Sequence, residues 1–176
     1  WGPAIRTAGL ITLDAHHDLR DGSSNGSPVR RLIEAGLAGV RVVQIGIADF
    51  SNSREYAARA RDYGIRVVTR DLLRRRPLAD VMSEALAEAS DGGGSVHVDL
   101  DVDVCDRSVV PGCPAAAPGG ISADELRHIA FLAGRSPRVR TMDIAEIDAA
   151  ADAPDGRTVR LGALLILEAA SGVALR

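Results

Sequence analysis

Two short runs with carboxylates on alternate residues constrain this chain most: Asp14-Ala15-His16-His17-Asp18 and Asp99-Leu100-Asp101-Val102-Asp103, about eighty-five residues apart. The first closes an apolar stretch and the second sits inside one. In an extended strand, side chains at i, i+2 and i+4 share a face. Asp14, His16 and Asp18 are therefore expected to converge, and so are Asp101 and Asp103. Both runs read as buried strands, where unpaired carboxylates are very costly. Divalent cations held between the two strand ends remove that cost. Turn or capping aspartates would need no cation, a reading that suits a single Asp better than two alternating sets.

The rest of the chain alternates apolar runs with helical patterns. Strands are expected at Leu10–Leu13, Arg41–Ile47, Ile65–Thr69, Ser95–Val104 and Val139–Ile144, and helices at Pro28–Ala35, Ser53–Tyr63, Pro77–Ala89, Ala123–Ala133 and Thr158–Ala170. Leu78, Val81, Ala85, Leu86 and Ala89 form one amphipathic stripe, and Ser122-Ala123-Asp124-Glu125 is a capping box. Alternation at this pitch predicts βαβ units in an α/β fold: three layers, α/β/α, around a mostly parallel sheet. Ligands in such sheets bind at the carboxyl ends of the strands, where both acidic runs are expected to lie. Residues 1–176 read as one domain. Because it starts at Trp1 and soon enters a buried strand, the chain is expected to lack an N-terminal part of that domain. Arg74-Arg75-Arg76 is expected to be a solvated approach to a helix.

Composition narrows the function classes. With 46% hydrophobic residues there is enough apolar content for a core, and a net charge of −3 gives nucleic acid no footing. The 21 basic residues are all arginine, and aromatics make up only 3%, too few for a platform that stacks bases or sugars. Leu161–Leu167, broken by Gly162 and ended by Glu168, falls far short of the ~20 residues of a membrane span. Cys105 and Cys113 are close enough in sequence to pair, but two thiols without a secretory leader point to a reducing cytosol. A soluble, cytoplasmic protein is expected.

The donor set is oxygen and imidazole without thiolate, which favours Mn²⁺ over Fe²⁺, Co²⁺, Ni²⁺ or Zn²⁺. Five such side chains nearly suffice for two ions about 3.5 Å apart that share a hydroxide nucleophile. Four segments then resemble, in order and spacing, the ureohydrolases of the arginase and agmatinase family: Asp14-Ala15-His16-His17-Asp18-Leu19-Arg20; Asn25-Gly26-Ser27-Pro28; Leu100-Asp101-Val102-Asp103-Val104-Cys105-Asp106 with Pro111-Gly112 and Pro118-Gly119-Gly120; and Asp143-Ile144-Ala145-Glu146-Ile147-Asp148. The resemblance covers nearly the whole chain and about the C-terminal two thirds of the family's domain.

That resemblance implies an arginase-like fold and two Mn²⁺ ions bridged by Asp14 and Asp101, with Asp18 on the first and His16 and Asp103 on the second. The family's remaining ligand comes from an upstream Gly-Gly-Asp-His segment, absent here, so an incomplete first metal site is expected. Glu146 would pair with the amidine of the substrate, Asp18 would relay a proton to the leaving amine, and identical chains would associate. Departures are Asn25 in place of a histidine, Arg107 in place of Pro, Asp148-Ala149 in place of Asn-Pro and Asp99 in place of Ser. Asp99 is expected either to support a ligand or to pair with an arginine. His97 is expected to be a hydrogen-bonded core histidine, and His17 to point away from the ligands.

Asn25 and Asp18-Leu19-Arg20 resemble the branch that hydrolyses N-formimino-L-glutamate to L-glutamate and formamide. Asn25 would line that substrate pocket, with Arg20 or Arg31 near the anionic tail. The alternatives are a urea-releasing agmatinase or guanidino-acid hydrolase and a non-catalytic ureohydrolase-like subunit. A single-zinc deacetylase on a related fold would be expected to show a histidine pair apart from the metal signature, and none is seen.

Overall fold

The computed structural model describes residues 2–176. Its framework is a five-stranded parallel sheet in the order β3-β2-β1-β4-β5, built from β1 (Gly9–Leu13), β2 (Val42–Ile47), β3 (Arg66–Thr69), β4 (Val96–Asp101) and β5 (Val139–Ala145). The helices are α1 (Pro28–Glu34), α2 (Arg54–Asp62), α3 (Arg70–Leu73), α4 (Leu78–Ala89), α5 (Ala123–Arg135) and α6 (Arg157–Ala174). Five predicted strands and five predicted helices are present, with boundaries differing by a few residues. The short α3 is an addition, and the capping box at Ser122–Glu125 forms in full at the start of α5.

β1 and β2 send alternate side chains to two separate cores, and β4 fills only the first. Ile11, Leu13, Val43, Ile45, Val96, Val98 and Leu100 join residues of α4, α5 and α6 on one face. Leu10 and Val42 join Leu19, Val29 and Ala60 under α1 and α2 on the other. β1 and β2 are buried along their whole length, which is why their sequences are apolar without alternation. Close approach of α5 to α6 rests on two glycines. A Cβ on Gly134 would lie 2.1 Å from the Ala169 carbonyl oxygen, and one on Gly172 would lie 2.2 Å from that of Phe131. The second helical layer stops short of the sheet edge, so Arg140, Thr141 and Asp143 of β5 are exposed.

The order of the strands decides where a ligand can bind. From β1 the chain winds outward through β2 to β3 with α1 and α2 on one face. It then returns across the sheet to place β4 on the other side of β1. The crossovers above β1 and β4 thus diverge to opposite faces and leave a crevice at their carboxyl ends, the position where open α/β sheets bind ligands. Asp14 follows β1 and Asp101 ends β4.

The predicted strand Ser95–Val104 is too long. The strand ends at Asp101, and Val102–Val104 form a 3₁₀ turn. The Asp101 carboxylate causes this by accepting the Asp103 N–H at 2.8 Å, a local bond that competes with further strand pairing. Residues 14–18 are likewise a turn beyond β1 rather than strand. The ligand candidates are therefore gathered by two turns, not by strand alternation.

Candidate metal centre

The turn after β1 and the turn after β4 hold each other. Asp103 Oδ1 accepts the Ala15 N–H at 2.8 Å, Asp103 Oδ2 lies 2.7 Å from His16 Nδ1, and the His16 N–H donates to Asp14 Oδ1 at 2.5 Å. Asp14 Oδ1 is also 3.6 Å from His16 Nδ1. Asp14 and Asp103 are buried and His16 is half-buried. One donor atom from each of Asp14, His16 and Asp103 fits within 4.8 Å of the others, the only such group among the described residues. Three of the five predicted ligands therefore already face a common point. Asp18 and Asp101 lie beside that point rather than in it. Their charges act on the same group, Asp18 on Asp14, and Asp101 on Asp14 and Asp103.

Burial and the crowding of carboxylates shift the titration of the whole group. Burial, then the neighbouring carboxylates Asp103 and Asp18, push Asp14 well above the usual carboxylate range. Burial, then Asp14 and Asp103, push Asp101 up to about 10. Burial raises Asp18 to about 6 against the opposing charge of His16. Asp103 goes the other way, because its bonds from His16 and Ala15 outweigh burial. Asp103 and Asp14 in turn raise His16 to about 10. His16 Nδ1 lies between the two carboxylates, 2.7 Å from Asp103 Oδ2 and 3.6 Å from Asp14 Oδ1. A divalent cation can take the place of protons on such a group, and these residues fit one.

Several residues that the sequence did not single out support the two turns. Arg70, at the start of α3, is 6% exposed and donates through Nη2 to the carbonyls of Asp103 at 2.8 Å and Val104 at 3.3 Å. Its Nε is buried without a partner. A Cβ on Gly46, whose φ is +98°, would meet Val104 Cγ2 at 2.3 Å, so β2 packs directly against the 3₁₀ turn. Gln44 and Asn52 bond to His17. His17 turns away from the cluster, as expected.

The remaining candidates are more peripheral. Asp18 and Glu146 both have positive φ, +53° and +64°, and Glu146 adds to the negative charge around Asp18. Arg20, Asn25 and Arg31 are exposed. The Arg20 N–H bonds the Gly26 carbonyl at 2.9 Å, and its guanidinium acts on Asp18. His97 is hydrogen-bonded, to Thr141 at 2.7 Å and Asp143 at 3.0 Å, but on the open face of the sheet rather than in the core. Asp99 is pushed up to about 8 by burial and then by Asp143, and its Oδ1 has no partner, so of its two expected roles the pairing with an arginine is not found. Arg107 ties down the following loop by donating to the Cys113 carbonyl at 2.6 Å. Cys105 and Cys113 are buried and unpaired. A cleft of about 530 Å³ is lined by Arg41, Arg66, Glu84 and Glu88 at the amino ends of β2 and β3, the opposite end of the sheet from the acidic cluster.

A sequence profile described as the arginase family matches residues 4–172. A curated formimidoylglutamase of Halalkalibacterium halodurans is 39% identical over 181 residues, covering 100% of this chain and 56% of its own length. The crystal structure of the Bacillus subtilis formimidoylglutamase aligns with a TM-score of 0.91 at 37% identity, over 96% of this chain and 54% of that one. The Trypanosoma cruzi formiminoglutamase with Mn²⁺₂ aligns with a TM-score of 0.89 at 26% identity, over 97% and 58%. The chain spans about half the length of the curated relatives it matches.

Proposed function

The chain belongs to the arginase family, and on that premise we propose that it carries most of the active site of a dinuclear Mn²⁺ hydrolase. The substrate is N-formimino-L-glutamate, which water cleaves at the amidine C–N bond to give L-glutamate and formamide. One observation carries the reading: Asp14, His16 and Asp103 meet at the crevice between the two diverging crossovers. The similarity to formimidoylglutamases supports the substrate.

Asp14, His16 and Asp103 would hold the metal, and Asp18 and Asp101 would complete the donor set for a pair of ions. The bound ions supply Lewis acidity and lower the pKa of bound water. Glu146 orients the planar amidine, which a carboxylate can grip through two parallel N–H···O bonds. Asp18 passes a proton to the departing amine. Asn25 lines the pocket, and Arg20, with Arg31 on the same segment, faces the carboxylates of the glutamate tail.

Residues 1–176 act as one ureohydrolase domain, completed by further chain that supplies the remaining ligand of the first ion. The enzyme works in the cytoplasm in the breakdown of histidine, a setting in which the buried thiols of Cys105 and Cys113 stay reduced. Identical chains associate, and the exposed Val159, Ile166, Leu167 and Val173 of α6 offer an apolar surface for it.

The test loads the product of the whole gene with Mn²⁺ and offers N-formimino-L-glutamate, agmatine, arginine and guanidinobutyrate in parallel. Formamide from the first alone is the expected result. Urea from any other keeps the chemistry and overturns the substrate. Neither product and no bound metal overturns the enzymatic reading.

A further inference from the structure

The ligand-bearing turn is held from outside the metal centre by two side-chain amides that converge on His17. His17 is 4% exposed, and Gln44 of β2 is fully buried. The Gln44 amide forms a two-point fork with it. Oε1 lies 2.7 Å from the ring Nδ1, and Nε2 donates to the His17 carbonyl at 2.8 Å. An amide oxygen only accepts, so the proton of this contact sits on Nδ1. Asn52 takes the other side, its Oδ1 accepting the His17 N–H at 3.0 Å. Its Nδ2 donates to the carbonyls of Ala15 at 2.9 Å and Ala48 at 3.2 Å.

Between them the two amides satisfy both backbone groups of His17 and its ring nitrogen. They do so where regular pairing has run out. The β1–β2 ladder ends at Leu13–Ile45, with single bonds onward from Asp14 N to the Ile45 carbonyl and from Ala48 N to the Ala15 carbonyl. The residues on either side of His17 are His16 and Asp18, two of the predicted ligands. Asp18 also adopts φ +53°, a left-handed conformation that a non-glycine residue keeps only where its surroundings impose it. Here they do. The fork fixes the peptide before Asp18, and the Arg30 N–H bonds its carbonyl at 3.2 Å.

We propose that Gln44 and Asn52 are positioning residues, which fix the turn carrying Asp14, His16 and Asp18 through His17 and so set the metal affinity of a site that neither touches. The consequence for metal rests on the hydrolase reading above; the rigidity of the turn does not.

Two variants and two readouts separate those parts. Asn52→Ala alters a half-buried loop residue, and Gln44→Met replaces the buried fork by an apolar chain of similar length. Amide hydrogen exchange at His16, His17 and Asp18 in metal-free protein is expected to speed up about tenfold or more in each variant, while exchange in β1 and β4 stays unchanged. Mn²⁺ affinity, measured by calorimetry, is expected to fall about ten- to a hundredfold, the usual cost of losing a group that orients a ligand. Asn52→Asp keeps the acceptor for the His17 N–H and loses the two donors, and is expected to fall between wild type and Asn52→Ala. Wild-type exchange in folded Asn52→Ala overturns the proposal even if Gln44→Met fails to fold. Faster exchange with unchanged Mn²⁺ affinity overturns the positioning role. If the unaltered product of the whole gene binds no Mn²⁺, the hydrolase reading fails, and exchange in Asn52→Ala still decides whether the amides hold the turn.

Discussion

Asp101→Asn is expected to stabilise the metal-free protein and to remove most of the stabilisation that Mn²⁺ gives wild type. Asp101 is 7% exposed. Burial, then Asp14 and Asp103, raise its pKa from 3.8 to about 10. A carboxyl raised in this way binds more protons folded than unfolded between those two values. The stability it contributes is complete below pH 3.8 and is lost as pH rises toward about 10. At pH 7 about three pH units of that window have been crossed, a ceiling of roughly 4 kcal/mol at ~1.4 kcal/mol per unit.

Asparagine has no such cost, and its Oδ1 still accepts the Asp103 N–H that Asp101 accepts at 2.8 Å. A gain of about 2–4 kcal/mol should raise the midpoint of thermal unfolding in chelator by about 4–16 °C, and the gain should shrink as pH falls toward 4. Mn²⁺ at a hundred times its dissociation constant adds about 2.7 kcal/mol to wild type. The variant, without the charge of this carboxylate beside the site, should gain little. Calorimetric scans of both proteins, with chelator and with Mn²⁺, at pH 5 and pH 8, make the measurement. A lower midpoint for the variant in chelator, or equal Mn²⁺ increments in the two proteins, refutes the argument.

Arg70→Met removes both donors to the carbonyls of Asp103 and Val104 and should cost about 1–3 kcal/mol in urea unfolding. An unchanged midpoint would show that the 3₁₀ turn holds itself. Glu146→Ala should raise KM for N-formimino-L-glutamate about tenfold or more, the loss of one charged hydrogen-bonding partner, while metal content by elemental analysis stays at the wild-type value. Unchanged kinetics would remove Glu146 from the pocket.

The sequence was most readable where local chemistry and fold agree. The alternation of elements is preserved, and the Ser122–Glu125 box caps α5 as its spacing requires. Asp14, His16 and Asp103 were found because residues of those types are expensive at buried strand ends unless something pairs them. Strand alternation alone does not account for their convergence. Val102 and Val104 flank Asp103 like strand residues, but the Asp101 carboxylate turns the backbone at that point. Gln44, Asn52 and Arg70 were not readable at all. Gln44 sits in a continuous apolar run, Asn52 in a polar loop, and Arg70 beside an ordinary aspartate. Each has its role through partners more than 25 positions away. Such contacts leave no periodic trace in the chain.

The meeting of the two turns also bears on how the protein folds. The bond from Ala15 to Asp103 spans 88 positions, so an ion shared between these turns is a staple across a very long loop. It has no complete binding site until β4 has found β1. That pairing comes late among the steps of assembly, because distant contacts must first close the loop between them. The ion therefore has little to grip on the way up the folding barrier and much to hold on the far side of it. Its effect falls on the rate at which the native chain opens rather than on the rate at which it forms. Such a protein keeps its shape through slow escape, and a chelator shortens its lifetime before visibly changing its fold.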